Sequence, residues 1–388
     1  MLRRAAPLRW VNGLILLAAL AYLAYRGGVG ELLQRLLPSS EVPAPPLAPS
    51  EAVAVRQGKW FTAYFTRPRY PDRPETRRGG LDEVFAADLE AARRSVDIAV
   101  FDLDAPRIVE ALVRAHRRGV RVRLVLDAEN LSDPRMARAV RRLEAEGVPI
   151  AWDRRPAFMH HKFAILDGRV LWTGSWNMTE NETYRNNNNM LRLSRPEIVA
   201  NYAWRFEALF AGRFGSYDRR EIPHPVVKLP EGARVETYFS PRGGAERAIE
   251  RRLAAAQERI LLMAFAFTAN GQARWLIAKH RAGLQVRGIF ETRNVEAAGA
   301  DFERLRREGL DVLKDGNPYV MHHKVYVIDG RIVITGSYNF TANAERANEE
   351  NLLIIEDPEL ARYYEEEFAL LRAQAQQALA QAPFLRGP

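Results

Sequence analysis

The sequence predicts an α/β protein built from two homologous sandwich lobes, and two observations carry that prediction. The first is a stretch present twice: residues 159–179 read MHHKFAILDGRVLWTGSWNMT and residues 321–341 read MHHKVYVIDGRIVITGSYNFT. Met, His, His, Lys, Asp, Gly, Arg, Thr, Gly, Ser, Asn and Thr coincide, twelve of 21 positions, at a constant offset of 162 residues. A period this long exceeds that of a solenoid repeat, so the duplicated unit is a domain. The second observation is that short apolar runs alternate with helical patterns in the same order around both copies. A chain of 388 residues, 47% of them hydrophobic, has material for two such domains.

The N-terminal part reads differently. Arg3, Arg4 and Arg9 precede an apolar run from Trp10 to Tyr25 that is broken by Asn12 and Gly13. A basic end followed by an apolar run is the pattern of an export signal or an N-terminal anchor. The run is short for a membrane span of about 20 residues, and Ala19 and Ala21 supply an A-x-A cleavage pattern. Leu32, Leu33, Leu36 and Leu37 close this segment, 1–37, as a short amphipathic patch. Five prolines between Pro38 and Pro49 make 38–54 an extended spacer. The expectation is a cell-membrane protein with its folded part outside the cytoplasm, or a secreted one if the signal is cleaved.

Lobe 1 is expected over 55–218 and lobe 2 over 235–388, joined by a linker (219–234) holding Pro223, Pro225 and Pro230. Each lobe opens with a strand, AYFT (63–66) or TYFS (237–240), then a helix (81–93 or 244–258) with apolar residues at helical spacing. The apolar runs Val96–Leu103 and Ile260–Phe267 are short enough for buried strands. A further helix ends at Gly119 or Gly283 and feeds VRVRLVLD or LQVRGIFE; another helix and strand lead into the motif. After it, Pro196 and Pro358 open closing helices in which Tyr202, Phe206 and Leu209 answer Tyr364, Phe368 and Leu371 at the same offset.

Side chains alternate along a strand, so His160 and Lys162 share one face while His161 takes the other. Asp167-Gly168 and Asp329-Gly330 are two-residue hairpin signals, and the return strands end in Thr-Gly-Ser. Each lobe thus gathers an imidazole, an ammonium, a hydroxyl and a carboxamide at the ends of paired strands. That set suits a phosphate: ammonium and neutral donors bind its oxygens, and imidazole attacks or transfers a proton. His161 and His323 are expected in the core or behind the site, and His116 and His280 as shared scaffold. HHK brings no third ligand at metal-binding spacing, and lysine is a poor ligand, so neither metal nor cofactor is expected.

The pattern H-x-K-x4-D-x6-G-S-x-N stands as His160, Lys162, Asp167, Gly174, Ser175, Asn177 and again as His322, Lys324, Asp329, Gly336, Ser337, Asn339. It resembles the phospholipase D superfamily, and the likeness covers nearly everything after the spacer. The resemblance implies two lobes packed face to face around one shared active site. It also implies a metal-independent, two-step reaction through a covalent phosphohistidine. His160, Lys162, His322 and Lys324 are then catalytic, and Ser175, Asn177, Ser337 and Asn339 bind the substrate phosphate. Asp167 and Asp329 are supporting residues in the hairpin turns.

One difference between the copies bears on the histidines. Twenty-eight residues past the motif histidine, lobe 2 has Glu350 and lobe 1 has Asn188. In related enzymes this neighbourhood holds the histidine's other ring nitrogen. A carboxylate favours imidazolium, whereas an amide fixes the tautomer of a neutral ring. The expectation is that Asn188 supports His160 as nucleophile, and that Glu350 supports His322 as general acid.

Composition narrows the rest. Without cysteine there are no disulfides, thiolate metal sites or cysteine nucleophiles. A formal net charge of +9 favours anionic partners. Lobe 1 also carries RPRYPDRPETRRGG (67–80), with five arginines, where lobe 2 has only PRGG (241–244). It reads as a basic flap over phosphates. The anchor and spacer favour a phospholipid diester as substrate. GSYNFT, NEEN and the positive charge are similar to bacterial endonucleases of the superfamily, the second reading, and a non-catalytic phosphate-binding scaffold is the third. A single N-terminal apolar segment speaks against a cardiolipin synthase. No obligate protein partner is expected, because the duplication supplies both half-sites.

Overall fold

The computed structural model describes residues 52–215 and 217–381. The signal or anchor expected over 1–37, and nearly all of the spacer, lie outside the described residues. Lobe 1 has strands β1 (Val53–Gln57), β2 (Phe61–Thr66), β3 (Ser95–Val100), β4 (Arg121–Asp127), β5 (Ile150–Asp153), β6 (Lys162–Leu166), β7 (Val170–Gly174), β8 (Asn186–Asn187) and β9 (Asn189–Leu193). Its helices are α1 (Leu81–Ala91), α2 (Pro106–Arg117), α3 (Pro134–Glu144), α4 (Glu180–Tyr184) and α5 (Pro196–Phe210). Lobe 2 repeats the plan with β10 (Val226–Lys228), β11 (Arg234–Ser240), β12 (Arg259–Ala264), β13 (Gln285–Phe290), β14 (Asp311–Lys314), β15 (Val320–Met321), β16 (Lys324–Ile328), β17 (Ile332–Gly336) and β18 (Glu350–Glu356). Its helices are α6 (Ala245–Ala255), α7 (Asn270–Arg281), α8 (Phe302–Arg307), α9 (Ala342–Arg346) and α10 (Pro358–Gln381).

The two large sheets have equivalent orders, β1-β2-β9-β7-β6-β3-β4-β5 and β10-β11-β18-β17-β16-β12-β13-β14. One expected boundary moves. The linker 219–234 contains β10, which pairs antiparallel with β11 and is the edge strand of lobe 2, as β1 is of lobe 1. Three prolines masked it, yet Val226–Lys228 lies between them and keeps its amides for pairing. Likewise β1 starts at Val53, inside the expected spacer.

Three apolar cores hold the molecule. α1–α3 cover the outer face of the first sheet, and α6–α8 cover that of the second. Between the sheets lies one core common to both lobes, in which Phe65, Phe163, Tyr202 and Phe206 meet Phe239, Met263, Val325 and Tyr364. α5 and α10 supply the aromatic residues that the sequence aligned at the 162-residue offset. Trp172, Trp176 and Tyr338 belong to the outer cores and are fully buried; they do not line a cleft.

The motif glycines and aspartates have structural causes. A Cβ on Gly174 would stand 2.1 Å from Asn189 O, and one on Gly336 2.2 Å from Asn351 O. Only glycine lets β7 and β17 pass that close to the neighbouring strand. Asp167 and Gly168 both have positive φ (54° and 63°), as do Asp329 and Gly330 (52° and 62°), which is the two-residue hairpin expected. The Asp167 carboxylate accepts from the backbone N–H groups of Arg93, Arg94 and Ser95. Asp329 does the same for Gln257, Glu258 and Arg259. Each aspartate therefore pins its hairpin to the start of the buried strand β3 or β12.

Asp167→Ala should lower stability by about 1–2 kcal/mol, because it strips three amides of a charged acceptor at a part-exposed turn. Denaturant unfolding and kcat, measured together, check this. A kcat loss at unchanged stability would return Asp167 to the chemistry.

Candidate active site

Two short backbone exchanges between the lobes build the site. Val320 and Met321 pair in parallel with Asn186 and Asn187, and His322 N donates to Asn187 O at 2.9 Å. On the other side Met159 bridges to Glu349, and His160 N donates to Glu349 O at 2.9 Å. Each motif histidine is thereby set beside the segment that follows the other lobe's motif.

The expected histidine partners are consequently exchanged. His160 Nδ1 lies 2.8 Å from Glu350 Oε2, and His322 Nδ1 lies 3.1 Å from Asn188 Oδ1. The expectation paired Glu350 with His322 because it counted along one lobe, whereas the pairing runs between lobes. A second carboxylate was missed altogether: Glu182 Oε2 is 3.1 Å from His322 Nδ1. Glu182 comes from α4, whose N-cap Thr179 ends the motif. Its counterpart at the 162-residue offset is Ala344, just as Glu350 answers Asn188. That reciprocal difference was the available signal.

Hydrogen bonds fix both carboxylates. Glu182 accepts from Asn177 Nδ2 at 3.0 Å and from Asn188 Nδ2 at 2.6 Å. Ser175 Oγ donates to Asn188 Oδ1 at 2.8 Å, and Ser337 Oγ donates to Glu350 Oε2 at 2.6 Å. Through these bonds the Ser175 and Ser337 hydroxyls, expected at the phosphate, orient the histidine partners Asn188 and Glu350. Asn339 is half-buried, and its Oδ1 has no hydrogen-bond partner among the described residues.

Lys162 and Lys324 are fully buried. Their Nζ atoms donate to His160 O at 2.8 Å and His322 O at 2.7 Å. They lie over the rings of Phe101 and Phe265 at 5.2 and 4.5 Å, and the same rings pack edge-on against His160 and His322. The sequence reading placed both phenylalanines near strand ends without giving them a role. A ring face is one of few apolar surfaces that hold an ammonium without capturing it in an ion pair.

Burial sets the electrostatics. It pushes His160 well below its ordinary value, with Lys162 and Lys324 adding to the effect. It takes His322 down to about 3, with Glu182 opposing. Lys162 falls to about 8 by burial against the pull of Glu350 and Glu182, and Lys324 falls well below the usual lysine range. The carboxylates diverge. Burial lifts Glu350 to about 8, only partly offset by Lys162. For Glu182 burial is outweighed by the His322 imidazole, the Asn188 amide and Lys324, which hold it well below the usual carboxylate range.

Behind this layer His161 and His323 tie the lobes together, as expected of residues facing away. His161 Nδ1 lies 3.3 Å from Asn351 Oδ1, and Asn189 Nδ2 donates to His323 Nδ1 at 2.9 Å. The arginine-rich loop is largely a brace. Arg67 pairs with Glu367 at 2.7 Å, and Arg77 with Asp72 at 2.6 Å and Glu180 at 3.0 Å. Asp72 N donates to Tyr319 OH of lobe 2 at 2.7 Å. Arg67 and Arg77 are thus taken from the flap.

A family model described as "Cardiolipin synthase, PLD-like domain" matches residues 85–210 and 249–372. The chain belongs to the phospholipase D-like family. It is similar to a mitochondrial cardiolipin hydrolase of Chlamydomonas reinhardtii, 32% identical over 176 residues that span 42% of this chain and 78% of that one. A phospholipase D of Rickettsia conorii is 35% identical over 144 residues, 37% of this chain and 72% of that one. A phosphatidylserine synthase from Haemophilus influenzae Rd KW20 superposes over 85% of this chain and 87% of its own at TM-score 0.60; at 14% identity this shows the fold alone. With two matched lobes and these relatives, the protein is a phosphoric diester hydrolase of the phospholipase D type.

Glu182→Gln keeps the side chain's shape and removes its charge. It should lower kcat by about 100-fold or more, the usual scale of acid–base assistance, with thermal stability little changed. Unchanged turnover would take Glu182 out of the proton chemistry.

Proposed function

We propose that this enzyme hydrolyses a phospholipid phosphodiester in two steps, with His160 as nucleophile and His322 as general acid and then general base, without a metal. The observation that carries this reading is the unequal support of the two histidines. Glu350 Oε2 accepts the Nδ1 proton of His160 whether or not Glu350 itself is ionised. His160 is therefore neutral, with its Nε2 lone pair free to attack. His322 faces a carboxylate that stays ionised, which stabilises an imidazolium. The roles proposed are those expected from the sequence, now assigned through exchanged partners.

In the first step His160 Nε2 bonds to phosphorus and the bond to the leaving alcohol breaks. The alcohol oxygen takes the proton from His322 Nε2. In the second step His322 Nε2 takes a proton from water, the water oxygen bonds to phosphorus, and the P–N bond breaks. Lys162 and Lys324 neutralise the non-bridging oxygens throughout. The diester's negative charge offsets the two ammonium groups that depress His322, so substrate binding favours the proton that His322 then delivers. The N-terminal basic and apolar segment would hold the enzyme at a bilayer, and relatives named for cardiolipin hydrolysis and phospholipase D support a lipid diester.

The test incubates the full chain in excess EDTA with fluorescent phospholipid vesicles and, separately, with fluorescent DNA. Lipid cleavage that persists in EDTA and is abolished in His160→Ala is the expected result, as is an acid-labile phosphoryl adduct on the peptide holding His160. Cleavage of DNA alone would replace the lipid reading with the nuclease. An adduct on His322 would reverse the roles.

The pH dependence has a definite sign. Lys162 and Glu350 both titrate at about 8 in the free enzyme. As pH rises through that value the site loses the Lys162 ammonium that neutralises the diester's oxygens. That loss disables the free enzyme, so kcat/KM should fall on the alkaline side with a midpoint near 8, read from initial rates.

A further inference from the structure

The two motif histidines are gripped by unlike clamps. Glu349, the residue before β18, holds the segment that carries His160 from both sides. Its N–H donates to Phe158 O at 2.8 Å, and its carbonyl accepts from His160 N at 2.9 Å. The Glu349 side chain is fully buried and is itself held by lobe 1. One carboxylate oxygen accepts from Arg205 Nη2, and the other accepts from Gly215 N and from Arg155 Nη2, the last at 3.1 Å. Both oxygens are thus bound to groups of the lobe that carries His160.

Arg205 occupies a closed place on α5. It is 2% exposed, and its guanidinium lies over the Tyr217 ring at 5.2 Å. Taking a guanidinium and a carboxylate out of water is costly, so a buried pair is a poor source of net stability. It is a good source of alignment, because displacing either partner leaves an uncompensated charge in a dry interior.

Comparison at the 162-residue offset shows that this clamp serves one histidine only. Glu349 answers Asn187, Arg155 answers Asn317, and Arg205 answers Glu367. Around His322 the grip is therefore between amides. Asn187 Oδ1 accepts from Asn317 Nδ2 at 2.7 Å, and that one nitrogen also donates to Arg185 O and Val320 O, each at 3.0 Å. Glu367 takes no part in it: it pairs with Arg67 at 2.7 Å and lies 3.3 Å from His323 Nε2. Hydrogen bonds between charged groups are shorter and stronger than those between neutral ones. The duplication has kept the backbone exchange on both sides and placed charge on one.

The charged side is that of the histidine read as the nucleophile. Glu350 follows Glu349 in the chain, and its Oε2 lies 2.8 Å from His160 Nδ1. Fixing Glu349 against the His160 backbone fixes the next side chain against the imidazole, and with it the direction of Nε2. Attack needs the reacting atoms aligned, so a small error in that direction slows it. We propose that Arg205 is a positioning residue for His160: by holding Glu349, with Arg155 assisting, it sets the Glu350 carboxylate on Nδ1 and so aims Nε2. What His160 then does rests on the two-step reading above, whereas the alignment belongs to the free enzyme and is measured there.

The experiment uses the full chain isotope-labelled in histidine alone. A proton held between His160 Nδ1 and Glu350 gives an imidazole N–H signal protected from exchange, assigned by its loss in His160→Ala. The signal of the His322 Nδ1 proton, assigned likewise in His322→Ala, is the internal reference. Arg205→Gln should remove the His160 signal and leave that of His322. It should also lower kcat by about tenfold or more at nearly constant KM, on whichever diester the wild type cleaves. Arg205→Lys, which keeps the charge, should recover both. Where Arg205→Gln does not fold, Arg155→Gln, at a side chain 31% exposed, should move both readouts the same way by a smaller amount. A His160 signal and a kcat that survive these changes refute the positioning role. Loss of both histidine signals together also refutes it, because the ion pair then only holds the lobes. Loss of the His160 signal alone, with phosphate trapped on His322, upholds the alignment and overturns the assignment of the nucleophile.

Discussion

The site depends on two backbone exchanges at the lobe interface, His160 with Glu349 and His322 with Asn187. Each is a single short contact of β type, and each brings a side chain of one lobe against the imidazole of the other. Neither half-site is therefore complete within its own lobe. The consequence is mechanical as well as chemical. A shift of one lobe against the other by a fraction of a hydrogen-bond length would separate both histidines from their partners at once.

The interface spends further polar groups on holding that register. Asn189 Oδ1 accepts from Thr335 Oγ1 at 2.8 Å and Tyr364 OH at 2.9 Å. Asn351 Nδ2 donates to Thr173 Oγ1 at 2.8 Å and Tyr202 OH at 3.2 Å. The two sets are related by the 162-residue offset, so the duplication has produced one network with approximate twofold symmetry. Buried polar networks contribute little net stability, but they tolerate few alternative alignments, because any slip leaves amides and hydroxyls unpaired in a dry interior. The apolar core between the sheets supplies attraction, and this network supplies position.

Much of this was legible in the sequence. The repeat, the helix-ending glycines, the aspartate hairpins and the aligned aromatic residues of α5 and α10 are local patterns, and local patterns survive in a linear reading. β10 was lost because Pro223, Pro225 and Pro230 argue for a linker, and only the sheet shows that an edge strand fits between them. The exchange of Glu350 and Asn188 was lost for a different reason. Spacing within a lobe cannot tell a contact inside that lobe from the equivalent contact made with its twin. Glu182 escaped because its counterpart is an alanine, and a reading organised around what the copies share passes over what they do not.

The unequal carboxylates give the duplication its chemical point. A symmetrical site would offer two histidines with matched supports, and either could attack. Here one carboxylate arises from β18 and is pushed by burial toward its neutral form, and the other arises from α4 and is held ionised by the His322 imidazole, the Asn188 amide and Lys324. Glu350 brings no second donor to a phosphate, and Glu182 balances only part of the charge of Lys162 and Lys324. The site's own side chains are thus short of negative charge, and a phosphodiester monoanion is a group that would complete it. On the proposed mechanism completion and proton delivery are one event, since the charge that enters also relieves the repulsion that keeps His322 unprotonated.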